Sequence, residues 1–128
     1  MVEVNNPEVL AEVSAAFDAY EHALVSNDIE GLNALFWKSP LTLRYGVSEL
    51  LYGHAQIAEF RRRRGPIDQR RTLRNTRITT FGRDFATANT EFVPNGNERI
   101  GRQSQTWVRT DEGWQIVAAH VSFVAAGR

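Results

Sequence analysis

The sequence predicts an α+β fold, with helices packed on one face of a curved antiparallel sheet. Three observations carry this. Residues 6–64 show helical periodicity interrupted by one short hairpin. The chain after residue 70 holds four successive strand-like runs punctuated by turn sequences. No internal repeat or low-complexity segment separates the two halves, so strands and helices share one core. At 128 residues, 42% hydrophobic and 23% charged, the chain suits a single domain over 1–128 with enough apolar surface to fill it.

Residues 6–26 read as a long amphipathic helix. Asn6 fits the N-cap, Pro7 the first helical position and Glu8 the first turn. Leu10, Val13, Phe17, Tyr20 and Leu24 form its apolar stripe, and only Tyr20 carries a polar tip. Asp28 caps a second, short helix, "IEGLNALFW", which Ser39-Pro40 breaks. A hairpin over 41–53 turns at Gly46-Val47. "HAQIAEFRRRRG" is a third helix with Ile57, Ala58 and Phe60 as apolar contacts, stopped by Gly65-Pro66. "RRTLRNTRITTFG", "DFATANTEFVPNG", "ERIGRQSQTWVRTDEG" and "WQIVAAHVSFVAA" are long strands joined by short turns, hence an antiparallel meander.

Composition excludes several classes of function. There is no cysteine, so there are no disulfides, thiol nucleophiles or cysteine metal sites, as expected in a reducing cytoplasm. No apolar run approaches the ~20 residues that span a bilayer, and "MVEVNNPEVL" lacks the basic-then-apolar pattern of a secretory signal. A cytoplasmic protein with no membrane partner is expected. A net charge of zero argues against nucleic acid as a partner. His22, His54 and His120 have no metal-ligand spacing, and HExxH, GxSxG, P-loop and GxGxxG patterns are all absent, so neither metal nor organic cofactor is expected. The cations are 14 Arg and a single Lys, Lys38. Compositional bias accounts for most of the arginines, and interest falls on any that sits where burial is expected. Arg61 to Arg64, with Gln69-Arg70-Arg71 nearby, reads as a solvated helix end, with an acidic partner second.

Arg44 is the first candidate. Alternation puts Leu41, Leu43 and Tyr45 on one strand face, and Thr42 and Arg44 on the other. The pattern alone leans slightly towards water for Arg44. If that face meets a cavity instead, a carboxylate ligand would complete the hydrogen bonds of a guanidinium that is costly to bury alone. Tyr20 is either a structural residue whose hydroxyl meets a backbone group, or a phenol donating into the same cavity. In the last strand, alternation groups Trp114, Ile116, Ala118, His120 and Ser122 against Val117, Ala119, Val121 and Phe123. A lone His on such a strand is more often a satisfied core residue than a catalyst, and Ser122 is its same-side neighbour. Gln103 and Gln105 share a face with Gly101 and Trp107, which suits a cavity lining, a subunit interface or a solvated face. Glu91 is either a base or, by preference, an ion-pair partner for an Arg across the sheet.

Helices, hairpin and late meander together resemble the cone fold of the NTF2/SnoaL-like superfamily, and "GWQIVAAHVS" at 113–122 is similar to its closing strand. "PEVLAEVSAAFDAYEHALVSND", "LFW", "RYGVSELLYGHAQIAEFRRRR" and "GRQSQTWVR" extend the likeness over nearly the whole chain to the AtzH-like family, closest to its oxalurate-catabolism HpxZ-type proteins. The resemblance implies an NTF2-like cone, three N-terminal helices packed on a curved antiparallel sheet, in a small cytoplasmic homodimer or higher homo-oligomer with a pocket. It implies neighbourhood with amidase-signature enzymes that degrade ureido compounds in cyanuric acid or purine (oxalurate) breakdown. One branch removes a carboxyl group from dicarboxyurea to give allophanate. The pocket Tyr and Arg assigned to that activity match Tyr20 in "FDAYEHAL" and Arg44 in "LRYG". The expected activity is therefore decarboxylation or hydrolysis of a small anionic ureido acid without metal or cofactor. Arg44 would hold the carboxylate, Tyr20 would donate a proton or hydrogen bond, and Gln105, His120 and Ser122 would line the pocket. The absence of any nucleophile, metal or base constellation supports an alternative, a non-catalytic ligand-binding or accessory protein of the pathway amidase.

Overall fold

Asn6 starts the first helix, α1 (Pro7–Val25). Its Oδ1 accepts the N–H groups of Glu8 at 3.0 Å and Val9 at 3.2 Å, satisfying donors that the first turn leaves free. The structure, a computed structural model, describes residues 1–125. Residues 126–128 of the expected domain, with Ala126 of the expected last strand, lie outside the described residues. Val9, Val13, Phe17, Tyr20, Ala23 and Leu24 are the buried side of α1, so Val9 rather than Leu10 begins the stripe. The second helix, α2 (Ile29–Leu35), is capped by Asp28 Oδ1 accepting from Gly31 N–H at 3.0 Å. It ends two residues before the sequence pattern suggests. Phe36 leaves the helix in extended conformation to bridge Ile116.

The hairpin is β1 (Leu43–Tyr45) and β2 (Leu50–Tyr52), followed by α3 (His54–Arg64). The meander is β3 (Arg71–Phe81), β4 (Phe85–Pro94), β5 (Gly101–Thr110) and β6 (Gly113–Phe123). Six strands form one sheet in the order β2-β1-β6-β5-β4-β3. One junction departs from the antiparallel expectation, because β1 runs parallel to β6. The helices cover one face, over a core in which Leu32, Phe36, Ile57, Trp107 and Ile116 are essentially inaccessible. Each such side chain contributes about 1.5–3 kcal/mol by leaving water. None of the described helices is long and apolar enough to cross a membrane.

A β-bulge in β6 decides which residues face that core. Trp107 pairs with Ile116 but Thr106 pairs with Ala118, so Val117 is the extra residue. Before it, Trp114 and Ile116 are buried; after it, Ala119 is buried while His120 is exposed. An inserted residue reverses the facing of everything that follows. The strict alternation expected for β6 therefore fails beyond Val117. Deleting Val117 forces either Trp114 and Ile116, or Ala119, Val121 and Phe123, onto the outer face. Urea denaturation should show a loss of at least about 3 kcal/mol, and an unchanged midpoint would show that the bulge does not set the facing.

Candidate functional site

A cavity of about 340 Å³ opens between α1, the end of α3 and the concave side of the sheet. Tyr20 and Leu24 reach it from α1 and Arg44 from β1. Thr42, on the same strand face as Arg44, is fully buried and donates to Trp37 O at 2.8 Å. The two-residue period thus turns Arg44 inward. Its Nη1 donates to Glu49 Oε1 at 3.1 Å, so the protein supplies one counter-ion itself. Gly46 makes room for it: a Cβ there would collide with the Glu49 carboxylate.

Arg61, Arg64 and Arg71 add to the positive charge in different ways. Arg64 lines the cavity from the last turn of α3, and its Nε is buried with no partner among the described residues. Burial, and then the Arg44 charge, hold its guanidinium below the ordinary value. Arg61 stands behind the wall, 4% exposed. Its Nη1 donates to Asn33 Oδ1 at 2.9 Å, and its guanidinium lies 4.5 Å from the centre of the Phe36 ring. No carboxylate faces it among the described residues. Burial pushes it down to about 10; the Tyr20 phenol opposes that shift, and Arg44 and Arg64 add to it. Arg71 is better matched. Its Nε donates to Glu21 Oε1 at 3.1 Å and its Nη2 to Gln103 Oε1 at 2.9 Å, while its guanidinium stacks 4.4 Å from the Phe92 ring centre. That ring lies against Gly101, where a Cβ would strike it. At the rim Arg70 pairs with Asp68 at 2.9 Å, and the Arg70 hydrogen bonds hold the carboxyl at about 2.

Tyr20 is 3% exposed, tilted against Phe36 with ring centres 6.4 Å apart. Its hydroxyl makes no hydrogen bond to the described residues, although it lies on the cavity wall. Three donors around the cavity have no partner among the described residues: the Tyr20 hydroxyl, Arg64 Nε and Gln103 Nε2. A wall of donors with excess positive charge suits an anion rich in acceptor oxygens. Among the described residues no cluster of three or more His, Asp or Glu is arranged to hold a metal.

The structure brings Tyr20 and Arg44 to one cavity and places the other expected pocket residues elsewhere. His120 lies on the outer sheet face, edge-on to Tyr45 with ring centres 5.7 Å apart. Ser122 accepts from Arg102 Nε at 3.0 Å on that same side. The bulge at Val117 is the reason for both. Gln105 does face the concave side, but it is 2% exposed and its Oε1 accepts from Trp107 Nε1 at 3.1 Å; its neighbour Gln103 reaches the cavity instead. Glu91 forms the expected cross-strand pair, with Arg74 at 2.9 Å. The arginines of α3 were treated as solvated, yet Ile57, Arg61 and Arg64 recur at helical spacing on the inward side. That spacing was the available signal. Arg62 and Arg63 point outward and pair with Glu59.

The model of the AtzH-like family matches residues 2–127. A protein of unknown function from the DUF3225 family of Pectobacterium atrosepticum is 53% identical, with a TM-score of 0.93 over 95% of each chain. A cystatin-like fold protein of Burkholderia xenovorans is 50% identical, with a TM-score of 0.93 over 99% of this chain and 100% of that one. An NTF2-like protein of unknown function from Pseudomonas putida, 16% identical, has a TM-score of 0.76 over 90% of this chain and 86% of that one. This last likeness shows the fold alone. No curated protein matches the sequence.

Arg61 gives a prediction that separates stability from binding. A buried cation without a carboxylate is often replaceable by an apolar side chain at no net cost. Arg61→Met should therefore hold or raise the thermal midpoint while weakening the binding of a small carboxylate probe, malonate, measured by calorimetry. A lower midpoint with unchanged affinity would assign Arg61 to the core alone.

Proposed function

This chain belongs to the AtzH-like family, and we propose that it binds a small ureido carboxylate in the Tyr20–Arg44 cavity and decarboxylates or hydrolyses it. The observation that carries this reading is a cationic wall with donors to spare: Arg64 Nε, which has no partner among the described residues, and the free Tyr20 hydroxyl, beside an Arg44 only partly neutralised by Glu49. Arg44 holds a substrate carboxylate through the N–H groups that Glu49 leaves free, fixing its orientation. In a decarboxylation of an N-carboxylate such as dicarboxyurea, the bond from nitrogen to the departing carbon breaks. Carbon dioxide leaves and the electron pair stays on nitrogen. Tyr20 donates the proton that nitrogen then takes, and water restores the phenol. Leu24, Phe92 and Phe123 give the cavity apolar walls, against which these charges act more strongly than in water. Oxalurate breakdown is the pathway context this reading favours.

A second reading has its own support. Glu49 and Asp68, the carboxylates on the cavity wall, are both engaged by arginines, which leaves no free carboxylate there to act as a base. A protein that only carries the ureido acid, or serves a pathway amidase, needs none.

A ¹³C NMR time course separates the two. Freshly generated dicarboxyurea, oxalurate and oxamate are each mixed with the protein, with Arg44→Ala and with Tyr20→Phe. Substrate loss with bicarbonate appearing is expected, abolished by Arg44→Ala and slowed about 10²-fold or more by Tyr20→Phe. Full turnover in both variants would sink the assignment of the site. Unchanged spectra with every acid, combined with co-purification of an amidase whose activity the protein alters, would establish the accessory role.

A further inference from the structure

We infer that Gln103 is the specificity-determining residue of the cavity, presenting its amide N–H to a second acceptor oxygen of the ligand, distinct from the carboxylate held by Arg44. The inference rests on the anion-binding reading above and deepens it.

The Gln103 side chain is 2% exposed and reaches the cavity from β5. Its oxygen is committed, because Oε1 accepts from Arg71 Nη2 at 2.9 Å. A guanidinium can only donate, so the amide cannot be turned over without setting donor against donor. The orientation is locked twice more. Both Arg71 donors that reach Glu21 hold the guanidinium in place from α1, and the Phe92 face supports it from below. The amide nitrogen is thereby forced away from Arg71, and it is buried with no partner among the described residues. A buried donor without a partner is unfavourable, a cost that a ligand oxygen removes.

Two features distinguish this donor from the arginines. It is neutral, so it can donate to an uncharged carbonyl oxygen as well as to a carboxylate. It is also fixed by the protein, whereas Arg44 and Arg64 are cations that attract any anion. The site thus requires a small acid with a carbonyl or second carboxyl beyond its first carboxylate, as in a ureido, amido or dicarboxylic acid. A plain carboxylic acid of the same shape leaves Gln103 Nε2 unpaired, and such orphaned donors are what make a polar site selective.

Titration calorimetry with malonate, malonamate and isovalerate tests this, since isovalerate replaces the amide of malonamate by an apolar group of like shape. The wild type should bind malonate and malonamate at least about tenfold more tightly than isovalerate, the worth of one buried hydrogen bond. Gln103→Met should remove that preference. Gln103→Glu keeps the acceptor for Arg71 but replaces the donor with oxygen. It should keep the wild-type melting temperature and still lose the roughly tenfold preference for malonamate over isovalerate, two acids of equal charge. If Gln103 serves only to hold Arg71, Gln103→Met will keep the wild-type preference for malonamate over isovalerate, and the inference falls. It falls equally if isovalerate binds as tightly as malonamate, with the anion site itself intact. Failure of all three acids to bind the wild type would overturn the anion reading and this inference with it.

Discussion

Guanidinium groups outnumber carboxylates on the concave side of this sheet, and the arrangement of the cavity follows from that excess. Glu49 answers Arg44, Glu21 answers Arg71 and Asp68 answers Arg70. Arg61 and Arg64 have no such partner among the described residues, and burial lowers the affinity of both for their protons. Leaving two cations short of anions in a partly closed space is unfavourable. The aromatic faces of Phe36 and Phe60 offset part of this, with guanidinium carbons 4.5 and 5.5 Å from the ring centres. An anionic ligand of the proposed kind would offset the rest, turning that unfavourable charge into affinity.

The helix that carries these arginines is itself built for two roles. Arg62 and Arg63 extend outward to Glu59, and their charge is largely screened by solvent. Arg61 and Arg64 fall three residues apart on the inner side with Ile57. One run of four identical residues therefore serves both the surface and the cavity, sorted by the helical period alone. The hairpin contributes in a similar way. Its three-residue strand β1 turns Arg44 inward, on the side of the buried Thr42 that precedes the strand, and the tight turn through Gly46 returns Glu49 to meet Arg44. Arginine, counter-ion and the glycine that lets them approach lie within six residues of chain.

Much of this was legible in the sequence, and the misses share a physical cause. Helix α1 declared itself by an Asn-Pro start and a stripe of apolar residues, and the hairpin by its turn. The pairing of Thr42 with Arg44 on one face followed from a period of two; which face met water did not, because β1 is too short to reveal it. His120 and Ser122 were misplaced because alternation assumes an unbroken ladder. Val117 carries no mark of a bulge, being neither glycine nor polar, and only its pairing across to β5 exposes it. Arg61 escaped notice because a basic run at a helix end is ordinarily solvated. Gln103 and Gln105 were indistinguishable in sequence, sharing one face two residues apart. Their fates diverge through partners distant in the chain or buried in the core: Arg71 for the first and Trp107 for the second.

The chemistry open to the cavity is narrowed by the same pattern of partners. A general base needs an unengaged lone pair at the right place, and both wall carboxylates are engaged, Glu49 by Arg44 and Ser48, and Asp68 by Arg70. A proton donor needs only an O–H, and Tyr20 supplies one that nothing among the described residues competes for. Breaking the bond from nitrogen to a carboxylate asks for a donor and not a base, since the electron pair left behind must be protonated. Hydrolysis asks for a base to activate water, or for a water aligned by other means. The geometry therefore suits decarboxylation better than hydrolysis. Arg44 is shared with Glu49, so the carboxylate of the proposed substrate would have to compete for it. That competition favours an acid held at more than one point, and Arg64 and Gln103 stand ready as the further donors.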